Sequence, residues 1–77
     1  MTTPRIEILI PNCTLIFTDN FTILYSYNTP VACYEYETRK YYRTNEFWSN
    51  TTSKHINQWL QGKNAMLRDQ KFFEDLS

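Results

Sequence analysis

Seventy-seven residues allow one domain, and folding at this length hides only about 60 to 65% of the unfolded surface, which argues against a deep catalytic cleft. Eight basic and eight acidic side chains cancel, so the long-range field that draws basic proteins to phosphate backbones is absent and non-specific nucleic-acid binding is disfavoured. Six Tyr, five Phe and two Trp cover much area with few residues, yet they include more Tyr than so small a core can hide, and exposed Tyr is enriched at binding surfaces.

Taken in chain order, Met1 to Glu7 lacks the charged start and apolar middle of a secretory signal, and no run approaches the roughly 18 apolar residues that cross a bilayer. The expectation is therefore a cytoplasmic chain with no membrane partner. Arg5 to Ile10 alternates weakly and reads as a first strand, broken by Pro11 and Asn12. Cys13 to Thr18 gives a second run, Asp19 and Asn20 a turn, and Phe21 to Tyr27 the strongest strand signal, with Phe21, Ile23, Tyr25 and Tyr27 on one face. Asn28, Thr29 and Pro30 read as the next turn. Val31 to Tyr36 then places Ala32, Tyr34 and Tyr36 on one face and Val31, Cys33 and Glu35 on the other. Glu37 to Arg39 is a hairpin tip, and Lys40 to Thr44 returns as the final strand.

The helical signal begins near Thr51 or Thr52. Ile56, Trp59 and Leu60 stand at i, i+3 and i+4, a Thr or Ser hydroxyl can cap the first turn, and Gly62 can take the left-handed conformation that ends it. Asn64 to Arg68 has no clean period and reads as a connector. Asp69 to Leu76 forms a short closing helix with Asp69 as its cap.

Chemistry-bearing groups are sparse. His55 is the single histidine; on a helix it shares a face only with Thr51 or Thr52, whose hydroxyls are expected to cap, so no catalytic set is assigned. One His, two distant Cys and scattered acids do not supply the ligands of a metal site, and one glycine cannot build a phosphate-cradling loop, so no metal or cofactor is expected. Cys13 and Cys33 read as reduced strand residues, and the Asn-x-Thr sequons at Asn12, Asn20 and Asn50 as composition. What remains is Arg39, Lys40 and Arg43 interleaved with Tyr41 and Tyr42. That cluster is either a solvated hairpin tip or a stacking patch with phosphate contacts.

The segments Ser26-Tyr27-Asn28-Thr29-Pro30-Val31-Ala32 and Thr51-Thr52-Ser53-Lys54-His55-Ile56-Asn57-Gln58-Trp59-Leu60, separated by a Tyr-rich hairpin, resemble a group of small uncharacterised phage and mobile-element proteins. The resemblance covers roughly Phe21 to Leu60. It implies a phage or mobile-element origin and supplies no catalytic residues.

The expected fold is a single α+β domain over residues 1–77: four to five antiparallel strands covered by one helix from about Thr52 to Gln61, with a short C-terminal helix closing an edge. The expected core is Ile8, Ile23, Tyr25, Val31, Cys33, Ile56, Trp59 and Leu60, with Phe72 or Phe73 at the margin. The expected function is non-enzymatic binding of a protein partner, a host component if the chain is phage-encoded. Tyr34, Tyr36, Arg39, Lys40, Tyr41, Tyr42, Arg43 and Trp48 are the candidate contact residues. The alternatives are a nucleic-acid module using Tyr41, Tyr42 and the cations, or self-association through a sheet edge.

Overall fold

The computed structural model describes residues 12–76 and the backbone of residues 5–10. It is an α+β domain. Strands β1 (Arg5–Ile10), β2 (Cys13–Phe17), β3 (Phe21–Ser26), β4 (Thr29–Glu35) and β5 (Lys40–Thr44) form an antiparallel meander. Helix α1 (Asn50–Leu60) crosses over to β6 (Ala65–Arg68), which pairs parallel to β5, and α2 (Gln70–Glu74) follows. Strand order in the sheet equals strand order in the chain.

Each turn has a local cause. Thr18 closes the β2–β3 hairpin around Asp19 and Asn20: its hydroxyl donates to Phe21 C=O at 3.1 Å and accepts from Phe21 N–H at 3.1 Å. The β3–β4 turn is Tyr27 and Asn28, one residue earlier than the sequence suggests, with Tyr27 in the left-handed region at φ 58° and its N–H bonded to Asn12 C=O at 2.6 Å. Thr29 and Pro30 accordingly start β4. At the β4–β5 tip Arg39 takes φ 57° and donates its N–H to Glu35 C=O at 2.9 Å.

Pro30 cannot donate to the ladder, and the register shifts beside it: Leu24 pairs with Ala32 whereas Tyr25 pairs with Pro30, leaving Val31 as the extra residue of a bulge. Simple alternation puts Val31 and Ala32 on opposite faces. The bulge instead turns both into the core beneath α1, together with Cys13, Leu15, Leu24, Ile56 and Leu60.

Helix α1 is capped by Ser49, whose hydroxyl accepts from Thr52 N–H at 3.1 Å, and it starts at Asn50, ahead of the expected start at Thr51 or Thr52. Thr52 is a buried position of the helix. At the far end Gln61 enters the left-handed region at φ 51° and donates to Asn57 C=O at 3.0 Å, and Gly62 follows at φ 83°.

Two corrections concern the C-terminal third. The expected connector Asn64 to Arg68 contains a sixth strand, β6, which satisfies the free edge of β5. Helix α2, capped by Asp69 as expected, does not close an edge; it lies against β4 on the face opposite α1. There Phe73, fully buried at 0% exposure, is the centre of a second core with Ile23, Cys33 and Tyr42, and Phe72 packs beside it. Of the expected core, Ile23, Val31, Cys33, Ile56 and Leu60 are buried, whereas Tyr25 and Trp59 are half-buried. The side chain of Ile8 lies outside the described residues.

Cys13 and Cys33 are free and buried, one in each core. Burial pushes the Cys33 thiol up from 9.0 to about 12, with the Glu35 carboxylate adding to the shift, and burial also raises Cys13.

Phe73→Ala should destabilise the domain by about 3 to 5 kcal/mol, while Trp59→Ala, with part of its ring already in water, should cost less; urea unfolding of the two variants checks the order. The raised thiol of Cys33 gives a signed pH dependence. Its contribution to stability is complete below the unfolded value of 9.0 and is lost as pH rises towards about 12, because the unfolded chain binds fewer protons over that interval. Stability should therefore fall above pH 9.0, and Cys33→Ala should flatten the decline in urea melts compared across that range.

Candidate functional site

Strand alternation and the β4–β5 register decide which tyrosines meet. Tyr34 stands opposite Tyr41 on the α1 side, with ring centroids 4.6 Å apart. Tyr41 reaches Trp59 of α1 edge-on at 5.5 Å and 68°. At the other end Tyr36 packs edge-on to Tyr34 at 5.9 Å, and its hydroxyl pairs with Thr22 Oγ1 at 2.7 Å. The result is a continuous row, Tyr36, Tyr34, Tyr41 and Trp59, in which every ring retains exposed surface. The two outer contacts are edge-to-face and the central one, Tyr34 with Tyr41, is tilted at 42°, all within the range of separations favoured by aromatic pairs.

Cations flank the row. Arg43 lies on the same face and its Nη1 donates to Asn57 Oδ1 at 3.3 Å. Arg39 and Lys40 are exposed at the tip, and among the described residues no carboxylate pairs with either. A groove of about 300 Å3 opens beside them, lined by Arg39, Lys40, Tyr41, Asn64, Ala65 and Met66. Six of the eight residues singled out in the sequence thus gather at one end of the sheet.

The other two do not join them. Tyr42 points to the opposite face, 7% exposed, under Phe72 at 5.4 Å and with the Arg68 guanidinium 5.3 Å from its ring centre. Neighbouring residues of a strand face opposite ways, so Tyr41 and Tyr42 cannot form one stacking platform. Trp48 is exposed in the loop before α1, and its indole N–H donates to Gln70 Oε1 at 3.3 Å. It borders a separate pocket of about 180 Å3 shared with Ser26, Tyr27, Thr29, Val31, Ser49 and Thr52. Gln70 is the polar key of that side, accepting also from Thr44 Oγ1 at 2.9 Å and donating to Pro30 C=O at 2.7 Å.

His55 is 5% exposed and bonds through Nδ1 to Ser26 Oγ at 2.9 Å, a partner 29 residues away that helical spacing could not reveal. Ser26 Oγ also meets Thr52 Oγ1 at 2.9 Å, and the Ser49 hydroxyl donates to Thr52 Oγ1 at 3.2 Å. One ordering of protons satisfies the chain: Ser49 donates to Thr52, Thr52 to Ser26, and Ser26 to His55 Nδ1. The side chains pin the start of α1 to the end of β3. Among the described residues every buried side-chain nitrogen and oxygen has a partner, and no three His, Cys, Asp or Glu stand close enough to hold a metal. No helix among the described residues is long and apolar enough to cross a membrane.

The missed member of the row is Trp59, whose helical spacing signals core; a spacing four residues after His55 marks it as a neighbour of the buried face without showing that part of its ring emerges. Ser26→Ala should leave the Thr52 hydroxyl and the imidazole short of a buried partner and cost about 1 to 3 kcal/mol. Ser49→Ala, which removes the helix cap, should cost about 1 kcal/mol. Thermal melting of both variants tests the ordering.

No curated protein and no solved structure matches the chain. A family model does match, over residues 2–75, and on that extent the chain belongs to the family of unknown function DUF8033.

Proposed function

We propose that the protein is a non-enzymatic binding module that docks a protein partner on the aromatic row Tyr36, Tyr34, Tyr41 and Trp59. The observation that supports this reading most is the row itself: four rings in successive contact and left partly exposed, with Arg43 on the same face and Arg39 and Lys40 at the adjoining tip. Interfaces gather their binding energy in aromatic and Arg side chains at the centre of a patch, and pre-ordered rings lose little freedom when a partner arrives. The exposed cations at the tip favour an acidic surface on that partner. A phage or mobile-element setting, which the resemblance in Ser26 to Ala32 and Thr51 to Leu60 implies, makes a host protein in the cytoplasm the expected target.

The nucleic-acid reading loses its main support with Tyr42, because the two-ring platform it needs is divided between the faces of the sheet. Catalysis is equally poorly supported: the hydroxyl beside His55 is buried and already shared with Thr52.

Affinity capture from a host lysate, at low and high salt and with nuclease treatment, tests the proposal. A protein partner should stay bound through both treatments. Tyr41→Ala should then weaken binding by about 2 kcal/mol, roughly thirtyfold, with the fold intact. Retained material lost to both salt and nuclease would instead identify a nucleic-acid mode.

A further inference from the structure

Strand β6 is the outer strand at one edge of the sheet, and its two central side chains are exposed on opposite faces. Met66, 48% exposed, lies on the α2 side with its pairing partner Tyr42; Leu67, 64% exposed, lies on the α1 side with its partner Arg43. A helix or domain laid on one face would cover one of them. A strand added in the plane of the sheet brings a side-chain neighbour to both at once. At four residues ending in Arg68 the edge is short, but β6 holds no proline and no inward charge that would bar a strand from pairing with it.

The amide directions fix how a strand would add. Asn45 N–H donates to Arg68 C=O at 2.9 Å, so the amides of Arg68 and, two residues back, Met66 face β5. Those of Ala65 and Leu67 face outward and are free to pair.

We propose that β6 pairs antiparallel with β6 of a second copy, about a two-fold axis through Met66 and perpendicular to the sheet. Ala65 then exchanges both backbone hydrogen bonds with Leu67 of the second copy, and Leu67 with its Ala65. Four bonds form from groups that now face solvent. The large exposed Leu67 lies over the small Ala65, and Met66 meets its own symmetry mate. Arg68 falls opposite Asn64, so no like charges meet across the pair. The alternative register centred on Leu67 sets Arg68 against Met66 and Ala65 against Asp69, which loses these matches. With zero net charge, two copies also approach without mutual repulsion.

Sedimentation of the full chain from micromolar to millimolar concentration tests the pairing. The wild type should move from the 9.3 kDa chain mass to twice that mass. Leu67→Pro removes an outward N–H without touching the β5–β6 bonds, so it should weaken dimerisation at least tenfold while circular dichroism stays unchanged. Leu67→Lys, should the proline disturb folding, applies the same test through charge. The register has its own test. In a non-hydrogen-bonded antiparallel pair the Cα atoms lie about 4.5 Å apart, within disulfide reach, so Met66→Cys should cross-link under mild oxidation. Leu67→Cys should not, because its symmetry mate sits roughly 7 Å further along the strand. The buried Cys13 and Cys33 should stay out of this reaction. A wild type that remains monomeric at millimolar concentration, a dimer untouched by both Leu67 variants, or equal cross-linking at the two positions would each overturn the proposal.

Discussion

Strand β4 is buried from both sides, and that requirement organises the molecule. On one face Val31 and Ala32 meet Ile56 and Leu60 of α1; on the other Cys33 meets Phe73 of α2. A sheet with apolar residues on both faces needs two covers, and a chain of 77 residues has few left to supply them once the strands are made. An eleven-residue helix covers one side, and the five residues of α2 cover the other, led by one fully buried phenylalanine. The bulge at Val31 belongs to the same solution. It gives the larger layer two β4 side chains where alternation would give one.

Much of this architecture could be read from the residues, and the exceptions share a physical cause. Asp19-Asn20 and Glu37 to Arg39 mark turns by chemistry that works locally, as do the stripe of Ile56 and Leu60 and the cap at Asp69. The β3–β4 turn was misplaced because a tyrosine, not a glycine or asparagine, takes its left-handed position. The bond from its N–H to Asn12, which lies 15 residues away in the chain, supports that choice. Strand β6 was invisible for a different reason. With no side covered by a helix, Met66 and Leu67 show no alternation, and the strand exists because β5 offers it an edge.

The candidate surface was legible to a similar depth. The composition around Arg39 to Arg43 located the cluster correctly. Strand alternation alone divides Tyr41 from Tyr42, but which of the two faces α1, and that Trp59 extends the row, follow only from the packing of the helices. The bond between Ser26 and His55 joins segments on opposite sides of the hairpin and depends wholly on tertiary structure. If β6 joins two copies as proposed, the axis perpendicular to the sheet keeps both aromatic rows on one side of the particle. A partner with repeated epitopes would then be gripped twice, with the second contact formed at a high effective concentration.

The two thiols fall one to a layer, Cys13 under α1 and Cys33 under α2. Each is shielded from reagents until its own cover lifts. The rate at which each cysteine is labelled under native conditions therefore reports the opening of one layer, independently of the other. Native labelling would distinguish a molecule that breathes by releasing its short terminal helix from one that opens only by unfolding throughout.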